Sequence, residues 1–448
     1  MLKKLSLFLL LTGYVLSATG QIPASGRLDS LLNTLAANDK AMGSLAISQN
    51  GVLIYQKAIG HASVTMGMPN PATVKTRYRV GSISKMFTAV MIFQLIEENK
   101  LSFNTPLSQF FPQLPNAEKI TIGLMLVHRS GLHNYSDDPA YRIYMTIPHA
   151  ETEMLDIIAA TKPDFAPNAR AAYSNTNFLL LGYIVEKLSG NTYTEALQQR
   201  VASKIGLENT YYGKKTNVAN NEAFSFKLNN DWVQQPETDM SNPGGAGAVV
   251  STPADLVKFI DALFNGKLIN SQYLDSMKTL KDGYGMAMFR YSFNDHIWYG
   301  HTGNIDNFEA TLGYFPEDKT AFAYTANGTS VTYPVKDIVN GVLSSYFNKA
   351  FTLPVFKTYT AKAADLENYP GNFSSKQIAM KITVTKNDNV LTARAAGEQA
   401  YTLTALSSNQ FISEAAGVTL TFDATGNSFL LKHNSEVYKF VRDKQVRR

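Results

Sequence analysis

The apolar positions change their spacing along the chain, and each change marks an element. Leu5 to Leu16 is almost uninterruptedly apolar behind Lys3 and Lys4, too short to span a bilayer, and is followed by the small residues Ala18-Thr19-Gly20. That pattern predicts a cleaved export signal over residues 1–20. Arg27 to Ala37 repeats with helical spacing, whereas Ser44 to Ser48 and Val52 to Ala58 read as strands on either side of Asn50-Gly51. Such a pair suits a hairpin whose two turn positions need positive φ. The middle is helical over Lys85 to Glu98, Ile120 to Val127, Ala150 to Ala160, Asn177 to Leu188 and Tyr193 to Ile205. Strands return at His296 to Tyr299, Phe308 to Phe315 and Ala321 to Thr325, before a helix over Val335 to Tyr346. The succession implies an α+β domain over residues 21–352, an antiparallel sheet built from both ends of the domain with a mostly helical insertion.

Past Asn348 the texture changes. Leu353-Pro354 and the small residues Ala361 to Ala364 read as a linker over 353–366. Six short β-patterned runs follow: Ile378 to Val384, Val390 to Ala395, Gln399 to Leu403, Val418 to Phe422, Phe429 to Lys432 and Val437 to Val441. They predict a second, all-β domain over 367–448, a small barrel or sandwich with no constellation for chemistry.

Composition narrows the function classes. The 448 residues are 45% hydrophobic and 17% charged, so a folded globular chain is expected. The net charge of +5, or +3 without Lys3 and Lys4, gives no reason to expect a nucleic-acid partner. Cysteine is absent, which excludes disulfides, a Cys nucleophile, a thiolate zinc site and a lipoprotein anchor. The seven His form no His-x-x-x-His or His-x-His pair, so neither a metal nor another cofactor is expected, and no Gly-x-Ser-x-Gly points to an α/β-hydrolase. Gly244 to Gly247 lacks the spacing and the Lys of a phosphate loop.

Lys85 stands out because the helix it opens is apolar on nearly every face from Met86 to Ile96. Such a helix is buried, and both burial and the helix dipole disfavour a cation there. Ser82 lies three residues earlier on the same face, and Ser-x-x-Lys pairs a nucleophile with a base. Ser84 diverges from Lys85; the competing reading of Ser82 is a helix cap. Tyr173-Ser174-Asn175, before another apolar helix, offers a phenol for proton transfer and an amide for a substrate carbonyl. The same triplet at Tyr346-Phe347-Asn348 falls inside a helix and in the wrong order. His301-Thr302-Gly303, at the end of a strand, offers a side-chain-free backbone for a ligand to pair with.

In this order the three motifs resemble the serine β-lactamase and penicillin-recognising hydrolases, in the branch of class C β-lactamases, D-alanyl-D-alanine carboxypeptidases and related esterases. The likeness extends to Arg79-Val80-Gly81, to Leu126-Val127-His128-Arg129-Ser130-Gly131-Leu132 and to Ser251-Thr252-Pro253-Ala254-Asp255-Leu256, over roughly residues 25–350. It implies an exported serine hydrolase that forms an acyl-enzyme on Ser82, with Lys85 and Tyr173 sharing the base role and Lys85 drawing the tyrosine pKa down. It further implies Asn175 as the holder of the substrate amide, His301, Thr302 and Gly303 as substrate contacts, and the backbone N–H groups of Ser82 and Asn304 as the oxyanion hole. His128 is expected to support the loop at Gly131. Two departures stand out: His301 occupies a place where β-lactamases of this branch usually carry Lys, and Asn307 replaces a common Gly before Phe308. A titrating imidazole near 6.5 would read a substrate carboxylate better as pH falls. The expected substrate is a small molecule or peptide, cell-wall peptide among the candidates, in a D-Ala-D-Ala carboxypeptidase or β-lactamase-related reaction. Esterase or D-aminopeptidase chemistry on the same fold, or a silent binding module, are the alternatives. The expected compartment is periplasmic or secreted, with no membrane span after signal cleavage.

Overall fold

Asn50 and Gly51 both take positive φ, 51° and 75°, and close the hairpin between β1 (Ala41–Gln49) and β2 (Val52–Ile59). The computed structural model describes residues 25–443 apart from 66, 230, 332, 355, 357, 358, 434 and 435; the expected export signal lies outside the described residues. Four later strands, β3 (Phe289–Phe293), β4 (His296–Ile305), β5 (Phe308–Phe315) and β6 (Thr320–Thr329), complete an antiparallel path in the order β3-β4-β5-β6-β1-β2. Pairing of β1 with β6, as at Leu45 opposite Tyr324, joins the two ends of the domain as the pattern predicted.

Alternation along these strands sends one set of side chains to each face. Leu45, Ile47, Phe322 and Tyr324 meet the apolar stripes of α1 (Ser25–Ala37) and of Val335–Tyr346, the helix predicted over the same residues. On the other face Ala46, Leu312, Ala321 and Ala323 meet α2 (Ser84–Glu97), α3 (Asn175–Ser189) and α4 (Pro253–Phe264). Every residue of α2 from Ser84 to Leu95 is buried, and Phe87 stacks on Phe259 of α4 with centroids 3.8 Å apart. Each fully buried aliphatic or aromatic side chain contributes about 1.5–3 kcal/mol, so the position of α2, and of Lys85 in its first turn, is strongly determined.

Some expectations need correction. The run Tyr193 to Ile205 is broken by a π-helical turn over Gln198–Ala202. His301-Thr302-Gly303 lies inside β4, which continues to Ile305. Helix α4 was missed although Thr252 caps it by accepting from Asp255 N and Pro253 opens it, a standard start signal.

The C-terminal region is a closed barrel of eight antiparallel strands from Gly371–Ser375 to Glu436–Arg442. Two of them, Gly371–Ser375 and Gln410–Ser413, escaped the pattern; in Gly371–Ser375 Phe373 is the one large apolar residue, so no alternation shows. Phe373, Leu391, Leu420, Phe422, Phe429 and Phe440 fill the interior, so it is a packed core. Glu414 ties the barrel to the catalytic domain, accepting from Lys40 Nζ at 2.6 Å and Ser330 Oγ at 2.7 Å. Among the described residues no helix is long and apolar enough to cross a membrane.

Candidate active site

Gly81 has φ +51°, a value that favours glycine, and it turns the chain from Arg79 into the 3₁₀ turn Gly81–Ile83 ahead of α2. Ser82 sits on that turn, half-exposed. Ser84, the other candidate hydroxyl, is buried and accepts from Val249 N at 2.9 Å, a structural task. Lys85 Nζ lies 3.0 Å from Ser82 Oγ, 2.7 Å from Asn175 Oδ1 and 2.8 Å from Ala246 O. The two carbonyl oxygens can only accept, so two N–H bonds point at them and the amine's remaining valence faces Ser82 Oγ. Complete burial pushes the Lys85 pKa well below its ordinary value, which favours the neutral amine with a lone pair there.

Asn175 is fully engaged: its Nδ2 donates to Ser136 Oγ at 2.8 Å and its backbone N–H to Asn134 Oδ1 at 2.8 Å. The Tyr173 ring lies 4.9 Å from Lys85 Nζ and 4.5 Å from the ring of His128. Its phenol departs from expectation. Burial raises the Tyr173 pKa, and only the Ser82 hydroxyl works the other way, so the tyrosine is held protonated. A neutral Lys85 supplies no charge to draw it down. His128, with φ +54°, accepts from Ser174 N at 3.1 Å and packs on Tyr173, which fixes the approach to α3.

The His301 expectation also fails. Its side chain is 2% exposed, and burial pushes its pKa below the ordinary imidazole value. The imidazole is therefore neutral at working pH. Its Nδ1 contacts Thr302 O, so that nitrogen carries the proton and Nε2, buried without a partner, is a bare acceptor.

β4 crosses the Ser82 turn at backbone contact because both chains carry glycine there. A Cβ on Gly303 would lie 1.9 Å from Val80 O, and one on Gly81 would lie 2.7 Å from Asn304 N. The backbone of the Ser82 turn thereby passes close to that of Asn304, and a Cβ on Gly303 would also lie 3.1 Å from Ser82 N. Ser82, Tyr173, Asn175, His301, Thr302, Gly303 and Asn304 line a single cavity of about 930 Å³.

Residues 29–340 match the family described as Beta-lactamase. The chain belongs to the β-lactamase family. It is a serine hydrolase of that family's penicillin-binding-protein-like kind. Among curated β-lactamase-family relatives it is similar to the teichoic acid D-alanine hydrolase of Staphylococcus aureus, 24% identical over 249 residues, 55% of this chain and 59% of the relative. The match thus spans 59% of that relative's length. In fold it is similar to the D-amino acid amidase from Ochrobactrum anthropi SV3, with TM-score 0.64, 24% identity, and 72% and 98% of the two chains covered. It is likewise similar to the octameric penicillin-binding protein homologue from Pyrococcus abyssi, with TM-score 0.64, 24% identity and 93% and 99% covered, a likeness that takes in the barrel.

Several residues of this β-lactamase-family site were not anticipated from sequence. Asn134 and Ser136 hold Asn175, and Asn134 Nδ2 in turn donates to Asp137 Oδ1 at 2.8 Å. Asp306 and Asn307 close the β4–β5 hairpin with φ 55° and 84°, so the Asn that replaces the common Gly does adopt the left-handed turn, its Nδ2 donating to Phe226 O at 2.6 Å. Asp306 is buried, paired with Arg79 Nη1 at 2.7 Å, and accepts from Thr238 N at 3.0 Å. That clamp anchors the hairpin next to Asn304. Arg79 was legible as part of the family motif, but nothing in its spacing named its distant partner.

Proposed function

We propose that this serine hydrolase cleaves D-aminoacyl esters or amides that bear no carboxylate beside the scissile bond, through an acyl-enzyme on Ser82. One observation carries the choice among the family's reactions: His301 is buried, which disfavours its charged form. A D-Ala-D-Ala carboxypeptidase or a β-lactamase acts on an amide in a substrate that bears a carboxylate, and a neutral imidazole at His301 offers that carboxylate no charge. The likeness to the staphylococcal D-alanine hydrolase and to the D-amino acid amidase, both named for D-amino acid groups, supports the reading. The teichoic acid named for that relative also supports action outside the cytoplasm, in keeping with the signal expected over residues 1–20.

The chemistry follows from the placement of groups. The lone pair of Lys85 takes the proton of Ser82 as Oγ attacks the acyl carbon, while Asn175 Oδ1 and Ala246 O hold the amine's other two N–H bonds. The developing oxyanion is met by the N–H groups of Ser82 and Asn304. Tyr173, held protonated, donates to the departing oxygen or nitrogen and recovers its proton from the Lys85 ammonium, whose Nζ lies 4.9 Å from its ring. Water then repeats the sequence against the acyl-enzyme.

The test compares D-alanine methyl ester, D-Ala-D-Ala peptide and a penicillin as substrates. The ester is expected to exceed both carboxylate-bearing compounds in kcat/KM by about tenfold or more, the scale of one missing charged hydrogen bond. Binding of the penicillin to the Ser82→Ala protein is expected to show no His301-dependent change between about pH 5.5 and 8. Tighter binding at the acid end that a further His301→Ala change abolishes would show a titrating His301 and return the carboxypeptidase reading to first place.

A further inference from the structure

His133 meets a carboxylate at each ring nitrogen: Nδ1 lies 2.8 Å from Asp164 Oδ1, and Nε2 lies 3.3 Å from Asp138 Oδ1. An ionised carboxylate only accepts, and a neutral imidazole donates through one nitrogen alone. Both contacts are hydrogen bonds only when the ring is an imidazolium. The hydrogen bond to Asp164, and then the charges of Asp164 and Asp138, raise its pKa above the ordinary 6.5. Those two carboxylates are the charged groups that face it. Elsewhere on the same stretches Asp137 accepts from Asn134 Nδ2, Arg129 pairs with Asp282, Arg170 lies over the Phe165 ring and Lys162 is exposed.

The chain between the ends of this clamp is the part that holds Asn175. Asp138 closes the 3₁₀ turn Tyr135–Asp137 back onto His133, and Asp164 ties the same turn to the segment that follows the helix Glu151–Ala159. Inside the closed turn, Asn134 Oδ1 takes the Asn175 backbone N–H and Ser136 Oγ takes its Nδ2–H. The carbonyl of His133 itself takes the Thr176 hydroxyl at 2.6 Å. Asn175 Oδ1 in turn meets Lys85 Nζ at 2.7 Å. We propose that His133, as an imidazolium, is a positioning residue for the reaction at Ser82: it clamps the turn that fixes Asn175 against Lys85. The inference rests on the Ser82 and Lys85 chemistry of the preceding section, but not on the acyl group being a D-amino acid. Loss of the proton leaves one ring nitrogen facing a carboxylate with no hydrogen between them, so one side of the clamp opens. The clamp is complete below the ordinary imidazole value of about 6.5 and is lost as pH rises through the raised value of the folded protein.

The rate at which an alkyl fluorophosphonate labels Ser82, followed by intact mass, reads the reactivity of that hydroxyl without reference to any acyl group. The full-length protein and its His133→Gln variant are compared at each pH from about 5.5 to about 9, with the thermal melt of each measured alongside. Hydrolysis of the reagent and titration of Lys85 affect both proteins, so the ratio of their rates isolates His133. The clamp is partly exposed, 25% at His133 and 37% and 39% at the two carboxylates, so solvent screens it. The wild type should label about three- to fivefold faster at the acid end, the scale of a partly exposed ion pair. The ratio should then fall towards unity with a midpoint above about 6.5. In Asp164→Asn, read against its own His133→Gln double variant, the midpoint should move to lower pH, because one carboxylate no longer favours the imidazolium. A ratio that stays constant with pH, at unity or above it, overturns the proposal, since a ring that only packs has no midpoint. A midpoint that Asp164→Asn leaves in place overturns it too. If the midpoint appears while D-alanine methyl ester is not hydrolysed, the clamp stands and the D-aminoacyl reading falls. Absence of labelling in the wild type at every pH overturns the two together.

Discussion

Lys85 and Tyr173 were expected to share the base role with the tyrosine ionised, and burial divides them instead. The neutral amine is stabilised because its charged form is desolvated, and the phenol stays protonated for the same reason. Hydrolysis of a neutral ester should therefore rise with pH on an acid limb whose midpoint lies well below the ordinary lysine value of about 10.4, since protonating Lys85 removes the base. Tyr173→Phe is expected to lower turnover by about 10²-fold, the scale of lost proton transfer, while leaving that limb where it was. A limb that vanishes in Tyr173→Phe would make the phenol the titrating group. Ser82→Ala should abolish labelling by a fluorophosphonate, seen by intact mass, with a change in stability of no more than about 1 kcal/mol, because the half-exposed hydroxyl has little else to do. Motif residues were legible because their chemistry is local in sequence. Their protonation states were not, because desolvation is set by whatever packs around them, and for His301 that includes Phe289, whose ring centroid is 4.9 Å away.

At the scale of elements, the proposed oxyanion hole depends on how closely β4 passes the Ser82 turn. Gly303→Ala would place a methyl group 1.9 Å from Val80 O, so one backbone must retreat. The expected result is a fall in kcat of about 10²–10³-fold, the effect of losing one oxyanion donor, with the thermal unfolding of the rest of the sheet largely retained. Wild-type turnover in that variant would place the second donor elsewhere than Asn304. The strands β1, β5 and β6 were legible from their apolar runs, and the β1–β2 hairpin from Asn50-Gly51. β3 was not, because its burial alternates only weakly, intermediate against exposed, and edge strands carry little core. The broken helix over Tyr193 to Ile205 illustrates the same limit: a continuous apolar period does not reveal where one extra residue is accommodated as a π turn.

Over the whole molecule, two cores meet at a small polar junction. Lys40 and Glu414 are both largely buried there, at 21% and 14% side-chain exposure, so their pair is screened less than one on an open surface. Glu414→Ala is expected to destabilise the protein by about 1 kcal/mol, read as a lower melting temperature, and to leave hydrolysis of a small ester unchanged. A change in turnover without a change in melting would mean that the barrel acts on the site. The existence of a second, all-β unit was plain from its turn spacing, but its closure was not, since closure depends on Gly371–Ser375 finding Glu436–Arg442, two segments far apart in sequence. That pairing, with Phe373 opposite Arg442 and Ser375 opposite Phe440, brings the barrel's first and last strands side by side. A unit whose chain enters and leaves at neighbouring points can be excised from one polypeptide and spliced into a surface loop of another without stretching either, so the barrel is built to be portable.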